Sequence, residues 1–276
     1  GHAGDAGPGE RAVRLSPRAV FGAVIAFNLV ALALPTLVIL GASFTEGNMI
    51  VFPPEGFSLK WYDKVLGSEP LREAFLRSLW VSLICTAAGV PAGAFAALAM
   101  ARFRLRFAGA LQIYLLLPFT IPLIASGIGL MLFFGEIGIL GDLWPVGIAC
   151  AVINLPFMIW AVLASVNGLD PDLENAAANC GAPPLQTFLT VTLPAVMPGV
   201  ITGGLLLFVL AFNEFLVSLL LTDANTVTLP VSIYNSIRSI ITPDLAAVSV
   251  VYIAVAGVAI VLLDRLVGLE VFLRGK

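Results

Sequence analysis

Six long apolar runs alternate along the chain with short segments that carry charges, prolines and glycines. The runs cover residues 19–45, 78–101, 107–135, 143–169, 198–221 and 245–263. An α-helix needs about 20 apolar residues to cross a hydrocarbon core of about 30 Å. Each run reaches or approaches that length, so the pattern predicts an all-α integral membrane protein with six transmembrane helices.

The composition indicates that the outer surface of these helices faces lipid rather than water. Of the 276 residues, 59% are hydrophobic and 11% are charged, whereas soluble domains carry roughly 25% charged residues. The net charge of −3 leaves no basic footprint for nucleic acid. The only histidine, His2, lies in a leader, residues 1–9, that lacks an initiator Met and resembles a processed or tagged terminus. A metal site built on histidine is therefore not expected.

Clusters of basic residues predict the orientation of the spans. They precede the first span, join the second to the third and follow the sixth: Arg11, Arg14 and Arg18; Arg102, Arg104 and Arg106; Arg265, Arg274 and Lys276. In a six-span chain all three clusters fall on one face, which the positive-inside rule makes cytoplasmic. We therefore expect a cytoplasmic tail over residues 1–17, a single transmembrane domain over 18–276, and both termini in the cytoplasm.

The segment between the fourth and fifth spans, residues 167–197, has the local signals of two short helices. Asp170 is predicted to be an N-cap and Pro171 suits the first helical position. Gly181 is placed to end this helix. A proline pair is predicted to start a second short helix, which Pro194 stops. The segment is therefore predicted to project from the membrane as a pair of helices, and an ordinary connector is the alternative.

A spaced motif runs through the same segment. Glu174-Asn175-Ala176-Ala177 is followed by Gly181 and then by Val191-Thr192-Leu193-Pro194. This pattern resembles the EAA loop of binding-protein-dependent ABC importer permeases, in which Glu-Ala-Ala is followed at the same spacing by Gly and Ile-x-Leu-Pro. Asn175 stands where that family has Glu, and Val191 where it has Ile. Residues 52–62, 77–80 and 212–215 resemble the spermidine/putrescine permeases, in particular their second, C-type subunit.

The resemblance implies a type I ABC importer permease fold and several partner chains. The implied partners are a second permease subunit in a heterodimer, two ATPase subunits and an extracytoplasmic solute-binding protein in a bacterial inner membrane. The sequence contains no Gly-x-x-x-x-Gly-Lys-[Ser/Thr] phosphate loop. ATP and Mg²⁺ are therefore expected on the ATPase subunits, with no cofactor on this chain, which is expected to be a transport subunit and not an enzyme.

Two groups of residues are candidates for function. The loop residues expected to contact the ATPase are Glu174, Asn175, Ala176, Ala177, Gly181, Leu185, Phe188, Leu193 and Pro194. The second group, Asn213 and Glu214, is expected at the translocation pathway, about 24 Å along the fifth helix from Pro198. A carboxylate at that depth usually faces an aqueous path or a bundle interior. Both a gate and a structural hydrogen-bonding role remain open for Glu214.

The predicted function is that of a permease subunit in an ATP-driven importer for a small organic solute, with a polyamine as the leading substrate. One alternative is a secondary transporter or channel that ATP does not drive, although the spans show no clear internal repeat and one buried acidic residue. The other alternative is the same class of importer with ferric iron or another organic amine as its substrate.

Overall fold

The computed structural model describes residues 17–54, 56–103, 108–239 and 242–267, and most of them are helical. The helices are α1 (Pro17–Ala42), α2 (Lys60–Leu66), α3 (Glu69–Arg102), α4 (Ala108–Thr120), α5 (Leu123–Glu136), α6 (Leu143–Asn167), α7 (Pro171–Asn179), α8 (Pro184–Thr187), α9 (Leu193–Phe212), α10 (Leu216–Leu221), α11 (Leu229–Ser239) and α12 (Asp244–Val267). Some predicted cytoplasmic residues lie outside the described ranges: the tail up to residue 16, Arg104, Arg106, Arg274 and Lys276.

Four described helices are long and apolar enough to cross a membrane: Phe21–Ala42, Glu69–Arg102, Leu143–Asn167 and Pro184–Phe212. Two shorter apolar helices, Leu123–Glu136 and Asp244–Val255, fall in the third and sixth predicted runs. The prediction of an all-α membrane protein is confirmed. The count of six spans stays a prediction.

The third apolar run forms two helices rather than one. α4 ends at Thr120, and α5 begins at Leu123 after a break at Pro122. Proline has no N–H to donate and disfavours helical geometry at the residue before it, so the chain leaves the helix at Ile121. The carbonyl of Pro122 then accepts hydrogen bonds from the backbone N–H groups of Ala125 (2.8 Å) and Ser126 (3.2 Å), which start α5.

The centre of the protein is formed by α3, α6 and α9, which make the most extensive contacts in the described chain. Met158 of α6 is fully buried between Gly93 of α3 and Gly203 of α9. A Cβ atom at Gly93 would lie 2.4 Å from Met158 Cγ, and one at Gly203 would lie 2.4 Å from Met158 Sδ. These glycines allow the helix backbones to approach closely, which is how helices associate in membranes.

The connector between α1 and α3, residues 43–68, packs against one end of the helical core. Trp61 of α2 is buried, and its indole N–H donates to the carbonyl of Thr45 over 2.9 Å. Lys64 pairs with Asp244 at the start of α12 over 2.7 Å. Ser78 Oγ accepts a hydrogen bond of 2.8 Å from the N–H of Leu229, which joins α3 to α11. α2 and α11 therefore cap the same end of the helical core.

Close packing makes a testable prediction at Gly199. A Cβ atom there would lie 2.5 Å from the carbonyl oxygen of Ala161, a backbone atom that cannot rotate away. We expect Gly199→Ala to destabilise the purified protein by about 1–3 kcal/mol, the usual cost of overpacking. The matched control is Gly129→Ala, because nothing lies within 4 Å of the added methyl group. Thermal unfolding in detergent checks this, and equal melting temperatures for the two variants would contradict it.

Candidate functional site

The first helix of the predicted loop begins as its sequence indicates. The Asp170 carboxylate accepts a hydrogen bond from the N–H of Asp172 at 3.0 Å, and Pro171 occupies the first helical position. Asp172 and Glu174 lie in the first turn, where their negative charges favour the positive end of the helix dipole. The predicted start of α7 at Pro171, behind an Asp170 cap, is confirmed.

The same helix ends at a glycine with left-handed backbone geometry. Gly181 has φ +84°. Its N–H donates to the carbonyl of Ala178 (2.9 Å), and the N–H of Ala182 donates to the carbonyl of Ala177 (3.1 Å). This pair of bonds is a Schellman motif, in which the residue after the helix takes a positive φ that glycine adopts without strain. The prediction that Gly181 ends α7 is confirmed.

The prediction that Pro194 stops the second helix is wrong. α8 begins at Pro184 and continues through a π-helical turn, Phe188–Thr192, directly into α9. The π turn ends one helical register and α9 begins a new one at Leu193, so Pro194 lies in its first turn. The N–H of Leu193 donates to the carbonyl of Phe188, five residues back, so the π turn shifts the hydrogen-bond register just before the proline, which has no N–H to donate. The second helix of the loop is thus continuous with α9.

The loop exposes several apolar side chains. Leu173, Leu185 and Leu189 are 53%, 70% and 51% exposed. Among the predicted contact residues, five are exposed and four are half-buried: Asn175, Ala176, Gly181, Leu185 and Pro194, and then Glu174, Ala177, Phe188 and Leu193. The structure therefore brings the predicted residues together in one segment, but not onto one face.

Glu174 is turned inward by contacts that the sequence did not predict. Both of its carboxylate oxygens accept hydrogen bonds from the guanidinium of Arg102, at the end of α3. The hydroxyl of Thr192, in the π turn, donates to one of the same oxygens. Asn175, the neighbouring residue, is exposed instead, and its amide donates to Asp172 over 3.5 Å. Of these two residues, Glu174 is the one that joins the loop to the spans.

The second predicted site lies at a break in the fifth apolar run. α9 ends at Phe212 and α10 begins at Leu216, so Asn213 and Glu214 are outside regular helix. Glu214 is half-buried, and its carboxylate accepts a hydrogen bond of 3.1 Å from the N–H of Val217. A carboxylate therefore occupies the start of α10, where backbone N–H groups have no partner within the helix.

Asn213 faces a cavity of about 310 Å³ with aromatic walls. Its side-chain oxygen accepts a hydrogen bond of 2.6 Å from the hydroxyl of Tyr252. The other residues that line this cavity are Phe215, Pro230, Ile233, Tyr234, Ile237 and Tyr252. Glu214 does not line it. The structure thus separates Asn213 from Glu214, which the sequence placed together.

Within the described ranges, no three Asp, Glu, Cys or His side chains are grouped to hold a metal ion.

Apolar helices around a tightly packed core, with a structured loop between two of them, define a helical membrane protein. The profile of the family described as "binding-protein-dependent transport system inner membrane component" matches residues 89–269, more than half of the chain. The chain belongs to this family, and it is a multi-pass membrane protein.

Curated relatives match most of the chain. The spermidine/putrescine transport system permease protein PotC of Haemophilus influenzae is 25% identical over 236 residues, 86% of this chain and 91% of that protein. The putrescine transport system permease protein PotI of Escherichia coli K12 is 25% identical over 233 residues, 81% of this chain and 82% of that protein. These relatives are permease subunits and not enzymes, and this chain is likewise a transport subunit.

A solved structure shares the fold. A chain of a bacterial ABC transporter involved in the import of the acidic polysaccharide alginate superposes with a TM-score of 0.64. The two sequences are 18% identical, and the match covers 90% of this chain and 96% of the other. The predicted ABC importer permease fold is confirmed.

The backbone at Gly181 makes the second testable prediction. Nothing lies within 4 Å of a Cβ atom added there, so a substitution acts through backbone conformation alone. A β-branched side chain at positive φ is strained by roughly 1–2 kcal/mol or more, whereas Asn tolerates it. We expect Gly181→Val to speed hydrogen exchange several-fold in residues 171–182 and Gly181→Asn to leave it near the parent rate. Equal exchange in both variants would show that the motif does not hold α7.

Proposed function

We propose that this chain is a transmembrane permease subunit of an ATP-driven importer whose solute is a polyamine of the spermidine or putrescine type. Membership of the binding-protein-dependent family supports the importer class, and similarity to the polyamine permeases PotC and PotI supports the solute. In this proposal the chain pairs with a second permease subunit, as a heterodimer. An extracytoplasmic binding protein delivers the solute to them.

The observation that carries the proposal is the exposed leucine surface of the loop. Leu185 and Leu189 stand on a helical segment that is continuous with α9, and Leu173 stands on α7, before the break at Gly181. The helix Pro184–Phe212 is longer than the roughly 20 residues that a span needs, so its first turns, with Leu185 and Leu189, extend beyond the hydrocarbon core, where exposed apolar side chains are stable when a partner covers them. We infer that a cytoplasmic ATPase subunit covers this surface, and that two such subunits bind ATP and Mg²⁺ for the complex. Closure of the ATPases then moves α7 as a rigid body, and the spans follow.

The orientation follows from the same assignment. Arg102 lies next to α7 at one end of the core, while α2 and α11 cover the other end. With the ATPases on the α7 side, that end is cytoplasmic, in agreement with the positive-inside rule applied to Arg18 and Arg102. Both chain termini are then cytoplasmic, and the membrane is a bacterial inner membrane.

The docking proposal is tested with two leucines of equal exposure. Leu185 in the loop and Leu66 at the end of α2 are both 70% exposed, but they lie at opposite ends of the core. We expect Leu185→Glu to lower the ATPase activity that copurifies with the tagged permease about tenfold. The introduced carboxylate would lose its hydration against an apolar surface of the partner. Leu66→Glu is expected to retain it.

Two results would overturn the proposal. Equal loss of copurifying ATP hydrolysis in the Leu185 and Leu66 variants would show that the leucine surface is not the docking site. Uptake of labelled spermidine and putrescine that persists after ATP depletion would favour a secondary transporter or a channel. Competition by ferric iron or by a different amine would move the solute assignment within the importer class.

The pathway role proposed for Glu214 makes a separate prediction. Glu214→Gln keeps the oxygen that accepts from the Val217 N–H and removes the negative charge. If the carboxylate meets a cationic solute, polyamine uptake falls several-fold while the complex still assembles. Glu214→Leu is the companion variant, because it removes the helix cap as well. Normal uptake with Gln and failed assembly with Leu would assign Glu214 to structure alone.

A further inference from the structure

The ion pair between Arg102 and Glu174 differs from the other ion pairs among the described residues. The others lie at the opposite end of the core, and two of them join neighbours on one helix: Lys64–Asp244, Arg72–Glu69 and Arg77–Glu73. Arg102 and Glu174 are 72 positions apart in sequence and join a long span to the loop. Like Lys64–Asp244 at the other end, this pair therefore fixes the relative position of two elements, which a pair within one helix does not.

The geometry of the pair is bidentate. Arg102 Nη1 donates to Oε2 of Glu174 and Arg102 Nη2 donates to Oε1, so both carboxylate oxygens are used. Thr192, which is 5% exposed, donates its hydroxyl to Oε1 as well. The side chain of Glu174 is 18% exposed and that of Arg102 is 37% exposed. A two-point contact of this kind is stronger and more directional than a single hydrogen bond between the same groups.

α7 has few other means of holding its position. It contains nine residues, and none of them is buried. A helix of this length is marginal in water without tertiary contacts. A groove of about 750 Å³ lies between α7 and the end of α3, and Phe95, Ala178 and Phe188 are among the residues that line it. Apolar packing between α7 and α3 is interrupted at this groove. The hydrogen bonds of Glu174 connect its two sides.

We propose that Arg102 is a positioning residue that fastens α7 to the spans. Arg102 ties Glu174 to the end of α3, and Thr192 ties the same carboxylate to the start of α9. A displacement of α7 is then passed to two spans at once and does not dissipate in a flexible loop. This inference rests on the proposed function, since it supplies the mechanical link between an ATPase bound at the leucine surface and the spans.

A corollary concerns the chemistry of the ATPase contact. Glu174 uses both oxygens within the chain, and Asn175 beside it is exposed and uncharged. Neither residue presents a free carboxylate to a partner. The carboxylate that this turn exposes to a partner is therefore that of Asp172, next to the exposed Leu173.

The first test uses the purified chain alone. Arg102→Gln removes the charge, and Arg72→Gln is the matched control because it breaks an ion pair at the other end of the core. We expect hydrogen exchange in residues 171–182 to become about tenfold faster in the Arg102 variant, as for loss of one charge-assisted contact. The charge-swapped double variant, Arg102→Glu with Glu174→Arg, is expected to restore most of the protection from hydrogen exchange. Equal exchange in the Arg102 and Arg72 variants would overturn the proposal.

The second test measures coupling in the assembled complex. We expect Arg102→Gln to lower solute uptake per ATP hydrolysed several-fold while ATP hydrolysis still copurifies, and the double variant to recover the ratio. Thr192→Val serves if the arginine variant fails to fold, because it removes one hydroxyl donor, and a smaller loss in the same direction is expected. An unchanged ratio in a folded variant would overturn the inference. Absence of copurifying ATPase from the parent chain would instead overturn the proposed function, while the exchange test would still decide the role of Arg102.

Discussion

The fold depends on how closely three helices approach around one side chain. Met158 is fully buried because Gly93 and Gly203 on the two neighbouring helices leave room for it and nothing more. Lipid tails are as apolar as the helices, so burial of apolar surface contributes little to their association in a bilayer. Dispersion contacts between closely fitted surfaces take its place, and they weaken steeply with distance. The small residues of α3 and α9 therefore determine which helices form the core.

The bilayer makes a second demand, which the breaks in the helices must also meet: every backbone polar group needs a hydrogen-bond partner. Where α9 ends, the amide of Asn213 donates to the carbonyl of Val209 over 2.9 Å, and Glu214 accepts from the N–H of Val217. Glu214 thus supplies a hydrogen bond that the interrupted helix lacks, whereas the Asn213 amide adds a second donor to a carbonyl that already accepts the backbone N–H of Asn213. Any role at the translocation pathway is added to this structural one, and the exposed Asn213 side chain is already turned to an aromatic cavity.

Local signals in the sequence predicted local structure well. The cap at Asp170 and the left-handed Gly181 depend on residues a few positions away, so spacing alone identified them. Pro194 was misread because a π turn, which has no simple sequence signature, restarts the helix just before it. The contact between Arg102 and Glu174 was missed for another reason: a topology rule already accounted for the arginine, and its partner is 72 positions away. Pairings at that separation are determined by tertiary packing, and no periodicity records them.

The local structure of the loop and the tertiary packing of the core meet at α7. α6 continues into it through the short connection at 168–170, α3 reaches it through Arg102, and α9 reaches it through Thr192. The three helices that hold Met158 are therefore the same three that converge on the loop. A loop attached to one helix would bend that helix against a fixed core. A loop attached to all three moves the core as a unit, since the close contacts at Gly93 and Gly203 resist sliding of one helix past another. In the proposed mechanism the tight packing and the polar tie therefore act together, and each needs the other to transmit movement from the loop to the membrane.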